Sequence, residues 1–308
     1  VLVCEVGLGG RLDATNLVRP QIAVITPISL EHTQVLGATL SEIAWEKGGV
    51  IKNNSVVVSA PQPDEAARVL RDICSVRGAR LIEVERDVRW SRTGNDLEGQ
   101  SFRVSMACEP HAYEFVMPLL GDYQLDNAAT AVAALRALDS TGVPVSRQAM
   151  TAGFARVEWP GRFQVVGRAP LVLLDGAHTV ASIRRLVQSI RSCLTYECVF
   201  LVVGLSCDKD IPGIATELLP LSPRTAATRS AHPRAAPPDT LARELIAQRL
   251  AVTTVAEMPD ALWHALRSAR PADLVCVTGS LFLVAEALDY LARPGSRQEA
   301  PSPPEAAH

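Results

Sequence analysis

Apolar positions along the chain fall into two kinds of stretch: short unbroken runs, and longer ones at helical spacing. Residues 1–4 and 22–26 are nearly continuous apolar runs bounded by Gly and Pro, the pattern of strands buried on both faces of a parallel sheet. Residues 40–47 follow Thr39 and Glu42, which form a capping-box signature, and they stop at Gly48-Gly49, so they predict a helix. Residues 56–59 predict a third strand. Residues 64–76 predict a helix with Ala66, Ala67, Leu70 and Ile73 on its inner face. From 81 to 117 the period changes to alternation, with Thr93-Gly94-Asn95-Asp96 as a turn, which predicts an antiparallel excursion. Residues 121–139 return to an alanine-rich helical pattern.

At Glu158-Trp159-Pro160-Gly161-Arg162 the pattern breaks and a second series begins. Predicted strands at 171–174, 199–203, 225–228 and 274–277 alternate with predicted helices at 180–193, 211–219, 241–249 and 281–291. Such alternation predicts a doubly wound sheet. Pro, Ser, Glu and Ala dominate 294–308, which reads as a disordered tail. The chain opens inside an apolar run, so it reads as the later part of a larger enzyme.

A length of 308 residues with 48% apolar content suits two packed domains. A net charge of -3 gives no pull toward nucleic acid or an anionic membrane. No apolar run approaches the roughly 20 residues of a membrane span. The 7 cysteines are scattered and form no CxxC pair, which reads as reduced thiols of a cytoplasmic protein. Of 30 basic residues only Lys47, Lys52 and Lys209 are lysines, so the place of each is informative.

Glu5 directly follows the first apolar run and His32 comes shortly after the second. In open α/β sheets ligands bind at the carboxyl ends of strands, so these two side chains suit either a magnesium site shared with phosphates or the capping of two turns. Leu40, Ile43, Ala44 and Lys47 fall at i, i+3, i+4 and i+7, which sets Lys47 on the apolar face of its helix. There it either snorkels past the core, balances the helix C-terminus, or sits dry enough to be a neutral amine that takes up carbon dioxide. Gly7-Leu-Gly-Gly-Arg11 is not a dinucleotide fingerprint, because Leu12 occupies the third small position. In the second half, Asp175 and His178 follow a strand, Asp208-Lys209-Asp210 follow another, and Gly279-Ser280 open the last helix. Asp208 and Ser280 each also read as helix N-caps. Arg162, beside a Pro-Gly pair, suits two-pronged contact with a phosphate, or simply a charged hinge.

Taken in order, Glu5–Asn16, residues 25–37 with His32, Glu46-Lys47 within 44–52, 121–131, Trp159 to Gln164, Leu174 to His178, Asp208–Asp210 and residues 279–284 resemble the folylpolyglutamate synthase/dihydrofolate synthase family, a branch of the Mur ligases. The resemblance implies an α/β fold: the central part of a Mur-ligase-type P-loop ATPase domain, its P-loop segment missing, over 1–157, then a Rossmann-like glutamate-ligase domain over 158–293. It implies ATP-dependent joining of L-glutamate to dihydropteroate or folylpolyglutamate through an acyl phosphate. Glu5 and His32 would be Mg2+ ligands, and Lys47 a carbamylated lysine beside the metal. Leu12, Asp13 and Ala14 would lie against the dihydropteroate moiety. Asn127, Arg162 and Asp175 would contact ATP, and His178 and Ser280 would serve the incoming glutamate. A monomer with only small-molecule partners is expected. The chain departs from the family at Glu31, Gly48, Tyr123 and Thr179-Val180, and it holds no glycine-rich loop ending in Gly-Lys-Ser/Thr. The fragment alone is therefore expected to be inactive. The rival readings are a UDP-muramoyl-type amino-acid ligase and a non-catalytic remnant that keeps the fold.

Overall fold

Val56–Ser59 lies between two other short strands, and its burial on both faces explains its unbroken apolar sequence. The computed structural model describes residues 1–293; the tail expected at 294–308 lies outside them. The chain divides into two units: Val1–Pro118 with Asp122–Val157, and Leu119–Gly121 with residues from Glu158 onward.

In the first unit, β1 (Ile22–Ile25), the one-turn helix α1 (Thr33–Leu36), α2 (Leu40–Gly48), β2 (Val56–Ser59), α3 (Asp64–Val76) and β3 (Arg80–Glu83) follow in order. The strands form a parallel sheet, β1-β2-β3, with Ile22 opposite Val56 and Val56 opposite Arg80. Thr39 and Glu42 do form the capping box that starts α2. Ile43 and Ala44 of α2 join Ile51, Val57, Ala66, Leu70 and Ile73 in one core. Then come β4 (Val88–Asp96), β5 (Gly99–Met106) and β6 (Tyr113–Met117), an antiparallel sheet, and the helices α4 (Asp122–Asp139) and α5 (Arg147–Ala155).

Two expectations fail here. Residues 1–4 form no strand, and Val1, Leu2 and Val3 are 97%, 77% and 90% exposed. A strand exists by pairing, and among the described residues β1 pairs only with β2. Residues 93–96 are not the turn but the end of β4, with a register shift between Arg92 and Gly94. The turn comes at Leu97-Glu98, where the Asp96 carboxylate accepts the N–H groups of Glu98 at 2.8 Å and Gly99 at 3.2 Å.

The second unit runs β7 (Gln164–Arg168), β8 (Leu171–Asp175), α6 (Val180–Cys193), β9 (Val199–Val203), α7 (Ile211–Leu218), β10 (Arg224–Ala227), α8 (Pro238–Ala247), β11 (Ala251–Thr254), α9 (Met258–Ser268), β12 (Leu274–Thr278) and α10 (Leu281–Ala292). The six strands lie in the order β11-β10-β9-β12-β8-β7, all parallel except β7. Every residue of β8, β9 and β12 is buried, which is why these three are the most uniformly apolar runs of the second half. No helix among the described residues is long and apolar enough to cross a membrane.

Candidate functional site

The glycine loop of the first unit lies flat on the last turn of α2. A Cβ on Gly49 would sit 2.4 Å from the Cα of Arg11, and one on Gly10 2.8 Å from the carbonyl oxygen of Lys47. Only glycine at both places lets two backbones approach this closely. Arg11 N–H donates to the Glu46 carbonyl at 2.8 Å, and its guanidinium donates to the Glu46 carboxylate from Nε at 3.1 Å and Nη2 at 2.9 Å. Gly9, at a left-handed φ of 68°, packs against Leu36 of α1, the helix that His32 begins. Farther along, Lys52 Nζ donates to Asn16 Oδ1 at 2.6 Å and to its carbonyl at 3.1 Å. One loop thus touches the last residue of α1 and the end of α2.

Asp13 shapes that loop. Its carboxylate accepts the Thr15 hydroxyl at 2.6 Å and the N–H groups of Leu8 at 3.0 Å and Thr15 at 2.9 Å. These donors, the Thr15 hydroxyl first, hold its carboxyl at about 2. Its acceptors are therefore spent on its own loop, and Asp13 caps the short turn Ala14–Leu17. Leu12 is left 78% exposed, with Ala14 exposed beside it.

Glu5 and His32 are both exposed in this unit. His32 has a left-handed φ of 53°, and its Nε2 lies 3.9 Å from the Glu31 carboxylate. Lys47 is half-buried on the face that also carries the fully buried Ile43 and Ala44. Its ammonium has no hydrogen bond or ion pair among the described residues. Asn127 is exposed on α4 and donates its amide to Gln124 at 3.0 Å. No group of three or more His, Cys, Asp or Glu side chains that could hold a metal occurs among the described residues. An exposed carboxylate such as that of Glu5 is the donor a hard cation takes beside phosphate oxygens and water, whereas the imidazole of His32 is a less typical ligand for it.

In the second unit the carboxyl ends of β8, β12 and β9 are stitched together. Gly279 N–H donates to the Ala177 carbonyl at 2.9 Å, and Gly204 N–H to that of Thr278 at 3.2 Å. Asp175, 4% exposed at the end of β8, accepts the N–H groups of Phe163 and Ala177, each at 2.8 Å. Half-buried Arg162 has its Nη1 3.5 Å from where a Gly176 Cβ would be, and among the described residues no carboxylate pairs with it. His178 Nδ1 lies 2.8 Å from the Gly176 carbonyl. That oxygen can only accept, so the neutral ring carries its proton on Nδ1 and its lone pair on Nε2. Ser280 caps α10 by accepting the Phe282 N–H at 3.1 Å. The cap of α7 is Asp210, which accepts the Gly213 N–H at 2.9 Å; Asp208 instead faces Lys209 at 3.6 Å. The expected residues therefore fall into two groups: Glu5, Leu12, Asp13, Ala14, His32, Lys47 and Asn127 on the first unit, and Arg162, Asp175, His178 and Ser280 on the second. The sequence reading missed the Arg11–Glu46 and Lys52–Asn16 ties, since opposite charges far apart in sequence carry no pairing signal.

Residues 1–135 match the Mur ligase middle domain, and residues 161–281 match the Mur ligase, glutamate ligase domain. A probable bifunctional folylpolyglutamate synthase/dihydropteroate synthase of Halobacterium salinarum is 35% identical over 290 residues, covering 93% of this chain and 34% of that protein. Folylpolyglutamate synthase of Mycobacterium tuberculosis, solved with ADP and AMPPCP, superposes with a TM-score of 0.86 at 30% identity, covering 94% of this chain and 68% of that one. The bifunctional folylpolyglutamate synthase/dihydrofolate synthase of Yersinia pestis, solved with AMPPNP and a Mn ion, gives a TM-score of 0.78 at 31% identity, covering 94% and 66%. The chain thus spans about a third of the first relative and about two thirds of the two structures. By both domain matches and by this likeness along nearly its whole length, the chain belongs to the folylpolyglutamate synthase/dihydrofolate synthase family of Mur ligases.

Proposed function

We propose that this chain carries the greater part of an ATP-dependent ligase that joins L-glutamate to dihydropteroate, to folylpolyglutamate, or to both, acting as a cytoplasmic monomer. Residues 1–157 would form the central ATP-binding domain and 158–293 the glutamate-ligase domain. The observation that carries the reading is the interlock of the Gly7–Arg11 loop with the end of α2, which fixes the exposed Leu12 and Ala14 in the same unit as Glu5, His32 and Lys47.

The acceptor's carboxylate attacks the terminal phosphorus of ATP, ADP leaves, and an acyl phosphate forms. The amino group of glutamate then attacks the acyl carbon, expelling phosphate and losing a proton as the amide forms. Leu12 and Ala14 would offer apolar contact to the pterin. Arg162, a half-buried guanidinium with no carboxylate partner among the described residues, would neutralise charge on the transferring phosphoryl group. Asn127 would contact the nucleotide, and Asp175 would hold the loop that presents Arg162. His178, with its lone pair on Nε2, and Ser280 would orient the incoming glutamate. Glu5 and His32 would hold Mg2+, which supplies charge neutralisation at the phosphates.

Lys47 would carry a carbamate, formed when its neutral amine adds carbon dioxide and releases a proton; its half-buried place, and a side-chain nitrogen with no partner among the described residues, support this. Incubation with 13C-bicarbonate should give a carbamate carbon resonance that Lys47→Arg abolishes. A wild-type spectrum without that resonance would refute the modification. These 308 residues hold no glycine-rich phosphate loop, so alone they should neither hydrolyse ATP nor ligate. Glutamate-dependent ADP release by the fragment would overturn that expectation.

A further inference from the structure

We propose that Arg11 and Glu46 are positioning residues that tie the acceptor loop and the Lys47 turn into one rigid piece, so that acceptor binding and lysine placement are set together. This rests on the ligase reading above. The pair is joined four times over: Arg11 N–H to the Glu46 carbonyl at 2.8 Å, and three guanidinium contacts to the Glu46 carboxylate at 2.9, 3.1 and 3.2 Å. On the Arg11 side the next residue is the exposed Leu12. On the Glu46 side the next residue is Lys47.

Three features indicate that the tie is there for position and not for bulk stability. The side chains are 45% and 20% exposed, where an ion pair contributes little to folding. Residues 11–18 bury no side chain fully, so the loop adds nothing to the core of the unit. The glycines on both sides, Gly10 and Gly49, leave no slack: any movement of the α2 turn pushes directly on the backbone of Arg11. Lys52 pins the far end of the same loop at Asn16, so among the described residues only the end next to Glu5 is without a comparable tie. A two-pronged guanidinium–carboxylate contact also fixes orientation, which a lysine in place of Arg11 would lose while keeping the charge.

The test uses Glu46→Gln, which keeps the volume and one acceptor, with Arg11→Lys and Arg11→Gln. In the 308-residue chain, amide hydrogen exchange should quicken together at residues 8–16 and 47–50 in Glu46→Gln and Arg11→Gln, while the thermal midpoint stays within about 2 °C of wild type. In the full-length gene product, kcat/KM for the folate-type acceptor should fall about tenfold, through both KM and kcat, with KM for ATP unchanged. Arg11→Lys should recover only part of that loss. Faster exchange in the loop with none at 47–50, or unchanged kcat/KM despite faster exchange, would overturn the proposal. If the wild-type gene product ligates no glutamate, the ligase reading fails, and the exchange result still decides whether the two segments move as one.

Discussion

Gly49→Ala puts a single methyl group into one of the tightest backbone approaches of the first unit. Gly49 has φ -57° and ψ -20°, a conformation alanine adopts without strain, so the whole effect is steric. The new Cβ would lie 2.4 Å from both Cα and Cβ of Arg11 and 2.7 Å from its nitrogen, about 1 Å inside ordinary contact. Two responses compete. Keeping both backbones in place is overpacking, which costs about 1–3 kcal/mol. Lifting the loop instead breaks the Arg11 N–H bond to Glu46, worth about 1 kcal/mol. It also loosens the partly exposed ion pair, worth less than about 1 kcal/mol. The cheaper path wins, so the variant should lose about 1–2 kcal/mol, or roughly 2–8 °C for a unit of this size. Gly153→Ala, within α5 and with nothing inside 4 Å of its Cβ, is the control and should gain up to about 1 kcal/mol. Scanning calorimetry of the three proteins measures both. A Gly49→Ala protein that melts at or above wild type would refute the close-approach argument.

Two further outcomes follow from the site. Because the Asp13 carboxyl is held at about 2 in the folded chain against an ordinary 3.8, the unfolded chain binds its proton more readily. Its contribution is therefore complete above about pH 4 and is lost as pH falls from 3.8 toward 2; Asp13→Asn should flatten the acid limb of stability in that window, and an NMR titration placing Asp13 at its ordinary value would contradict this. Asp175→Asn turns one of two buried acceptors into a donor facing a backbone N–H, at a cost of about 1–3 kcal/mol to the second unit; an unchanged urea midpoint would show that these N–H groups do not depend on the charge.

Where apolar period and chain punctuation agree, the sequence alone suffices. The limits of α3, α6 and β9 fall on the residues that the pattern predicts, because each buries a full face or both faces. Elements at the rim were illegible. Edge strand β11 buries none of its four residues fully, and β7 carries a glycine pressed against Val172. Helix α9 does carry Met258, Ala261, Leu262 and Ala265 at helical spacing, a signal that was present and went unread. Residues 1–4 show the reverse error: an apolar run predicts burial, yet burial requires a neighbour to pair with.

The site divides along the same line. Thr39, Glu42 and Ser280 announce themselves as caps because capping is local in sequence. Asp13 is different, since its three donors come from a loop whose path depends on the glycines packed against α2. The hydrogen bonds by which Asp13 shapes its loop were therefore not legible in the sequence. The Arg11–Glu46 pair spans 35 residues and had no local sign at all.

The account is tested most directly by incubating the full-length gene product with ATP, Mg2+, L-glutamate and either dihydropteroate or a folate monoglutamate, then weighing the acceptor by mass spectrometry. It predicts an acceptor heavier by one or more glutamyl residues, with one ADP released per addition, and loss of both signals in Lys47→Ala. An acceptor of unchanged mass beside full ATP consumption, or glutamate addition that survives the loss of Lys47, would contradict it.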